Sequence, residues 1–182
     1  MMDEREAIER WRQGDPEGMA ALVRWYQGRA LRIAALILPD PMQAEDAVQA
    51  AFIRAWMKRK SFRPDAPFWP WFRRLVANEA WRLARRESRE APAESGPVEE
   101  GGPDPASDPA DGWEQKETLE RLIRALEALS PMQRAVLSLR YYEAMSEAEI
   151  AEALGCAIGT VKWHLHQARE RLRAWLKTGG ER

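Results

Sequence analysis

The densest recognition chemistry in this 182-residue chain lies between Arg54 and Arg89. Eleven basic side chains fall there: Arg54, Lys58, Arg59, Lys60, Arg63, Arg73, Arg74, Arg82, Arg85, Arg86 and Arg89. Only Asp65, Glu79 and Glu87 oppose them, and Phe62, Phe68, Trp69, Trp71 and Trp81 are interleaved. Such a mixture suits a single-stranded nucleic acid, because cations follow the phosphates while rings stack on unpaired bases. The plainer reading puts the rings in a core and leaves the arginines as a solvated face. It fits Phe72 and at least half of the rings. It fits the loop Lys58 to Trp71 less well, because Pro64, Pro67 and Pro70 hold its aromatics away from regular packing.

A second cluster lies between Ser146 and Leu176. Ser146 followed by Glu149 forms a capping box, which satisfies orphan N–H groups at a helix start. Ile150, Ala151 and Leu154 mark one apolar face, and Gly155 is placed to stop the helix. After a turn from Gly155 to Gly159 a second helix opens near Thr160. Its Val161, Leu165, Ala168 and Leu172 recur at helical spacing. Trp163, His166, Gln167 and Glu170 lie on the opposite side, flanked by Lys162 and His164. A capped helix, a glycine turn and a longer helix with a polar face match a helix-turn-helix, whose second helix enters the DNA major groove. The same pattern also describes a plain helical hairpin in an all-α core.

Other chemistry finds no support. His164 and His166 are two apart on a helix and cannot chelate one ion. Gly155 and Gly159 are not followed by Lys-Ser/Thr, so no phosphate-binding loop is present. Cys156 has no identifiable basic partner and reads as a turn filler. Glu45 and Asp46 read as a surface or docking feature. Neither an enzyme nor a cofactor is expected.

In the scaffold that carries these clusters, Asp15-Pro16 and Asp40-Pro41 each begin a helix, with an N-cap aspartate before proline at the first helical position. The first helix covers 16–38, through Met19, Leu22, Val23, Tyr26, Ala30, Ile33, Ala34 and Ile37. The second buries Ala44, Ala47, Val48, Ala51, Phe52 and Ala55 and shows Glu45, Asp46 and Gln49. A third runs from about Trp71 to Arg86. Beyond it, residues 91–112 hold five prolines, four glycines, six acids and no Leu, Ile, Phe, Trp or Tyr. Such a segment cannot offset its chain entropy by burial, so a disordered linker is expected. A second helical domain then opens near Trp113. Leu119, Leu122, Ile123, Leu126 and Leu129 line one helix, and Ser130-Pro131 starts the next.

The fold class is therefore all-α, with two small helical domains (1–90 and 113–182) joined by an acidic linker. The formal net charge of −1 hides this division. Residues 1–90 carry 17 basic and 13 acidic side chains, 91–112 carry none and 6, and 113–182 carry 11 and 10. One cysteine allows no internal disulfide and fits a reducing compartment. The charged start has no signal-peptide pattern, and the longest apolar run falls far short of a membrane span. A soluble, cytoplasmic protein is expected.

The segment from Ala44-Glu-Asp-Ala-Val-Gln to Trp56 resembles the second conserved region of bacterial RNA polymerase sigma factors. Leu129-Ser-Pro-Met-Gln-Arg to Arg140, with Glu149-Ile-Ala, Leu154-Gly and Gly159-Thr-Val-Lys162, resembles the fourth. Those two regions with a short linker look like the extracytoplasmic-function group. The resemblance implies a factor that directs core polymerase to promoters and assists melting. It implies core RNA polymerase, duplex and melted promoter DNA, and an anti-sigma factor as partners.

Residue by residue, it puts Asp46 and Gln49 on the helix that docks to the polymerase clamp. The Ser61–Pro70 loop matches the segment that captures an unstacked minus-ten base. The minus-ten set is Arg59, Lys60, Phe62, Arg63, Phe68, Trp69, Arg73, Arg74, Asn78, Arg85 and Arg86. Thr160, Lys162, Trp163, His166 and Gln167 fall on the helix that meets the minus-thirty-five element. Five positions depart from the family habit: Ala50 and Arg82 stand where Glu and Asp are frequent, Trp163-His164 where Ser-Arg is frequent, and Gln167 where Arg is frequent. Loss of arginine from a recognition face implies a shifted base preference, since arginine to guanine is the commonest specific contact.

Linker length bears on mechanism. Fully extended, 22 residues reach ~73 Å, but as a free coil they average ~26 Å. Promoter elements up to two turns apart lie ~35–70 Å from each other. The linker can span that gap without fixing it, so polymerase must hold both domains. A stand-alone helix-turn-helix regulator and an aromatic-basic interaction module remain the other readings of the residues.

Overall fold

A computed structural model describes residues 2–90, 124–126 and 128–177, and every regular element among them is helical. The acidic segment 91–112 and most of the helix expected after Trp113 lie outside the described residues.

The chain starts with a helix that the sequence reading did not anticipate, α1 (Glu4–Gln13). Asp3 caps it by accepting from the Glu6 N–H at 2.8 Å, and Gly14 closes it in the left-handed region at φ 90°. Ala7, Ile8 and Trp11, at helical spacing, are buried. Helix α2 (Pro16–Ile37) crosses α1 at Gly18. A Cβ there would lie 2.4 Å from the Trp11 backbone nitrogen and 2.6 Å from the Ala7 carbonyl oxygen. Only glycine permits that approach.

Helix α2 and α3 (Pro41–Lys58) begin where their Asp-Pro pairs predict. Asp15 and Asp40 each accept from the N–H two residues on, at 2.9 Å. The six residues expected on the inner side of α3 are all buried. A short 3-10 turn (Arg59–Ser61) leads to α4 (Phe68–Glu90). This helix starts three residues earlier than expected. Pro70 sits in its first turn, where a missing N–H breaks no intrahelical bond.

The second helical set contains α5 (Pro131–Tyr141), α6 (Glu147–Leu154) and α7 (Ile158–Lys177). Ser130-Gln133 and Ser146-Glu149 both form reciprocal capping boxes. Gly155 ends α6 at φ 64°, a left-handed cap that suits glycine. The turn to α7 is shorter than expected: α7 begins at Ile158, so Gly159 and Thr160 lie in its first turn. Val161, Leu165 and Ala168 are buried, and α7 packs on α5 and α6.

The two helical sets touch. Helix α5 packs on α2 and α4, and α6 lies along α4. The sequence reading had them meet only through a linker.

Candidate nucleic-acid interfaces

The polar side of α7 faces outward. Lys162, Trp163 and His166 are exposed, while Thr160 and Gln167 are half-buried. Trp163 is 57% exposed, too much for a core residue, and its ring meets His164 edge-on at 4.7 Å. Partial burial lowers the His164 pKa, which favours a neutral imidazole. The Lys162 ammonium is 3.9 Å from Glu147, a loose pair on an exposed surface. All five lie off the stripe of α7 that Val161, Leu165 and Ala168 bury. Partial burial raises the Cys156 thiol pKa, which disfavours the thiolate.

The residues ahead of and along α4 are arranged differently. Lys60 and Arg63 are exposed. The Arg59 guanidinium lies over Trp56 at 4.6 Å and donates to the Trp56 carbonyl at 2.9 Å. Phe62, Phe68 and Trp69 are not the exposed stacking platform that the loop composition suggested. Their exposures are 3%, 0% and 7%. Trp11, the buried residue of the unanticipated α1, provides the reason. Its ring meets Phe62 at 5.5 Å and Phe68 at 5.4 Å, both edge-on, and Trp71 at 5.8 Å. Phe68 also stacks on Phe72 at 5.2 Å. Aromatic pairs at these separations add to the burial of their area. For these three residues the plainer reading, rings as core, describes the fold.

Trp69 joins the two helical sets. Tyr26 stacks on it at 5.5 Å, and the Arg29 guanidinium lies 4.2 Å from its ring centroid. Its indole N–H donates to Glu143 Oε2 at 2.9 Å. Glu143 belongs to the α5–α6 connection, and its side chain is 1% exposed. It accepts from Arg29 at 3.1 and 3.3 Å and lies 3.6 Å from Arg73. Ala144, next in the chain, has φ 51°, a strained value for a residue with a side chain. A carboxylate buried this deeply requires such partners.

Arg73, Arg74 and Asn78 of α4 meet α6 and the connection before it. Arg73 donates to the Glu143 carbonyl at 2.7 Å and to Glu149 at 3.2 Å. Arg74 donates to Glu152 at 2.8 Å, and the Asn78 amide donates to the Ala153 carbonyl at 3.1 Å. Two N-terminal donors of α6, the Ser146 N–H and hydroxyl, hold the Glu149 carboxylate. With Arg73 and Arg74 beside it, its pKa is pushed down to about 2. Arg85 and Arg86 lie further along α4, exposed. Arg82 is paired with the buried Glu79 at 3.0 Å, and Arg54 holds the other oxygen of that carboxylate.

Asp46 and Gln49 are exposed on α3. They border a groove of about 660 Å³ between α2 and α3, floored by Val23, Leu31, Val48, Phe52, Ile53 and Trp56. Ile53 is 56% exposed there, and Met57 on the same helix is 74% exposed. Sequence reasoning named the two polar residues but not the apolar floor. Its signal was present, since Ile53 and Met57 are four apart and fall outside the buried stripe of α3.

A capped short helix, a glycine turn and an outward polar helix, carried beside a basic helical unit, define an all-helical DNA-binding protein. Residues 22–90 match the family model for sigma-70 region 2, and residues 119–172 match that for sigma-70, region 4. The chain belongs to the sigma-70 family, and its function is to direct bacterial RNA polymerase to promoters. It is 36% identical over 159 residues to the RNA polymerase sigma-E factor of Streptomyces avermitilis, covering 86% of this chain and 83% of that one. It is 30% identical over 172 residues to the ECF RNA polymerase sigma-E factor of Escherichia coli K12, covering 91% and 90%. Among solved structures it resembles the sigma factor RpoE of Bartonella quintana, crystallised with the anti-sigma factor NepR. The TM-score is 0.60 at 27% identity, over 87% of this chain and 96% of that one.

Proposed function

We propose that the chain works as an extracytoplasmic-function sigma factor with a divided task. Residues 1–90 dock on core polymerase and engage the minus-ten element. Residues 113–182 read the minus-thirty-five element, and 91–112 join the two. The observation that carries this reading is the order of matches, region 2 before region 4 in one chain. The open α2–α3 groove is the docking surface for core polymerase, with Asp46 and Gln49 at its rim. An exposed apolar patch rimmed by polar groups is what a protein interface needs.

Helix α7 enters the major groove. Thr160, Lys162, Trp163, His166 and Gln167 meet the DNA there. Gln167 and His166 offer hydrogen bonds to base edges, Lys162 neutralises phosphate, and Trp163 supplies apolar contact to a thymine methyl. Along the first unit Arg59, Lys60, Arg63, Arg73, Arg74, Asn78, Arg85 and Arg86 follow the melted strand. An anti-sigma factor is the expected antagonist, in keeping with the NepR-bound relative. No catalytic step or cofactor is assigned, and the working compartment is the cytoplasm, where polymerase is.

A gel shift tests this. The purified chain is expected to shift promoter fragments well only with core polymerase present. Tight binding by the chain alone, at defined half-sites, would instead support a stand-alone regulator.

A further inference from the structure

Glu79 lies on α4 with its side chain fully buried. Each of its oxygens is taken by one guanidinium. Arg82, one turn on, donates from Nε to Oε2 at 3.0 Å. Arg54, from α3, pairs through its Nε with Oε1. A buried carboxylate needs such partners, and this one has two cations where one would balance it. A net positive charge is left over. The Arg54 and Arg82 side chains are 43% and 57% exposed, so that charge meets solvent. Their terminal nitrogens make no other hydrogen bond or ion pair among the described residues.

An unattached surface arginine loses rotamer freedom when it binds an anion. Here the Nε contacts to one immobile carboxylate have already fixed both side chains. The Nη groups of each remain for a second oxyanion, and a guanidinium fork matches the oxygens of a phosphate. Along α4, Asn78, Arg82 and Arg85 are spaced at i, i+4 and i+7, one side of a helix. Arg82 therefore stands between two residues that the functional reading places along DNA. It also reverses the acidic charge that is frequent at its position in the family. Glu79, one turn earlier, supplies the carboxylate instead.

We propose that Arg54 and Arg82, positioned by Glu79, clamp one backbone phosphate of promoter DNA beside the minus-ten contacts. As a phosphate contact the clamp adds affinity without base preference. The identity of the ligand as DNA rests on the functional reading, whereas the fixed, open guanidinium pair rests on the contacts alone.

The clamp is tested on the complex of the full chain with core polymerase, by fluorescence anisotropy of a labelled promoter fragment across a range of salt. Arg82→Gln removes the charge but leaves an amide that can donate to Glu79. The plot of log affinity against log salt should become shallower by about 1, and affinity at low salt should fall about tenfold on every promoter tried. An unchanged slope overturns the clamp.

The phosphate itself is found by replacing single phosphates around the minus-ten element with neutral methylphosphonates. One replacement should weaken the wild type about tenfold and should weaken Arg82→Gln and Arg54→Gln no further, because residue and phosphate are the two sides of one contact. Losses that add at every position overturn the clamp. Should Arg54→Gln fail to fold, judged by circular dichroism, the cycle with Arg82→Gln decides alone. A wild-type complex that binds no promoter would be a failure of the sigma reading. A wild-type complex that binds, with a variant of equal slope, would be a failure of the clamp only.

Discussion

The basic face of α4 and the polar face of α7, the two surfaces proposed to meet nucleic acid, are placed in opposite ways. On α7 the recognition side chains point outward, and their closest ion pair is the loose Lys162–Glu147 contact at 3.9 Å. On α4 the guanidiniums of Arg73 and Arg74 are committed to carboxylates at 2.8–3.5 Å, over a floor of packed aromatic rings. An exposed pair such as Lys162–Glu147 or Arg74–Glu152 is worth little, whereas the bonds around the buried Glu143 are strong and costly to break singly. In the proposed function α7 meets a duplex as it stands, whereas Arg73, Arg74 and Asn78 of α4 are engaged by the second helical set.

The largest effect should come from breaking the platform beneath α4. Phe68→Ala removes a fully buried ring that touches Trp11, Phe62, Trp71 and Phe72. We expect a loss of ~3–5 kcal/mol in denaturant unfolding. A change under 1 kcal/mol would mean that the ring cluster is not the core of the first unit.

Ile53→Asp probes a third, open surface. At 56% exposure it should leave unfolding within ~0.5 kcal/mol of wild type. Its affinity for core polymerase should fall by ~2 kcal/mol or more, as for a central apolar anchor. Unchanged affinity in a pull-down titration would remove the groove from the docking surface.

Ser146→Ala tests the α6 cap that also holds Glu149. We expect ~0.5–2 kcal/mol of destabilisation. The pH dependence has a definite sign. Glu149 is depressed to about 2 in the folded chain, so its contribution is present above the ordinary carboxylate pKa and is lost as pH falls toward 2. Thermal midpoints of wild type and Glu149→Gln should therefore converge between about pH 4.5 and 2. A difference that stays constant across that window would place the depression elsewhere.

Trp163→Ala should have the smallest effect on folding, within ~0.5 kcal/mol, because the ring is largely exposed. Its effect should appear in base preference. Selection of polymerase-bound promoters from a random library should give different consensus bases for wild type and variant. The same consensus from both would leave Trp163 with no part in readout.

Much of this architecture was legible locally. The Asp-Pro starts of α2 and α3, the two Ser-initiated capping boxes and the apolar stripe of α7 each carry their own signal within a few residues. Helix α1 was passed over although Asp3 capping Glu6, with Ala7, Ile8 and Trp11 behind, is the same grammar in a more charged setting. Pro70 reads in sequence as a loop residue, but a proline in a first helical turn starts a helix as readily as it breaks one. A loop at Pro70 would expose Phe68 and Trp69, whereas the helix start buries both.

The contact between the two helical sets was not legible at all. Arg29 and Glu143 are 114 residues apart, and Trp69 and Glu143 are 74 apart. Glu143 also sits in a connection with no periodic pattern, where only tertiary packing assigns it a partner.

This chain gives promoter choice to a polymerase that lacks it. Transcription in vitro with purified core enzyme and genomic fragments measures that directly. Adding the chain should produce start sites at a defined set of promoters, and His166→Ala/Gln167→Ala should weaken or shift that set. Core enzyme that starts at the same places with and without the chain, on every template, would contradict it.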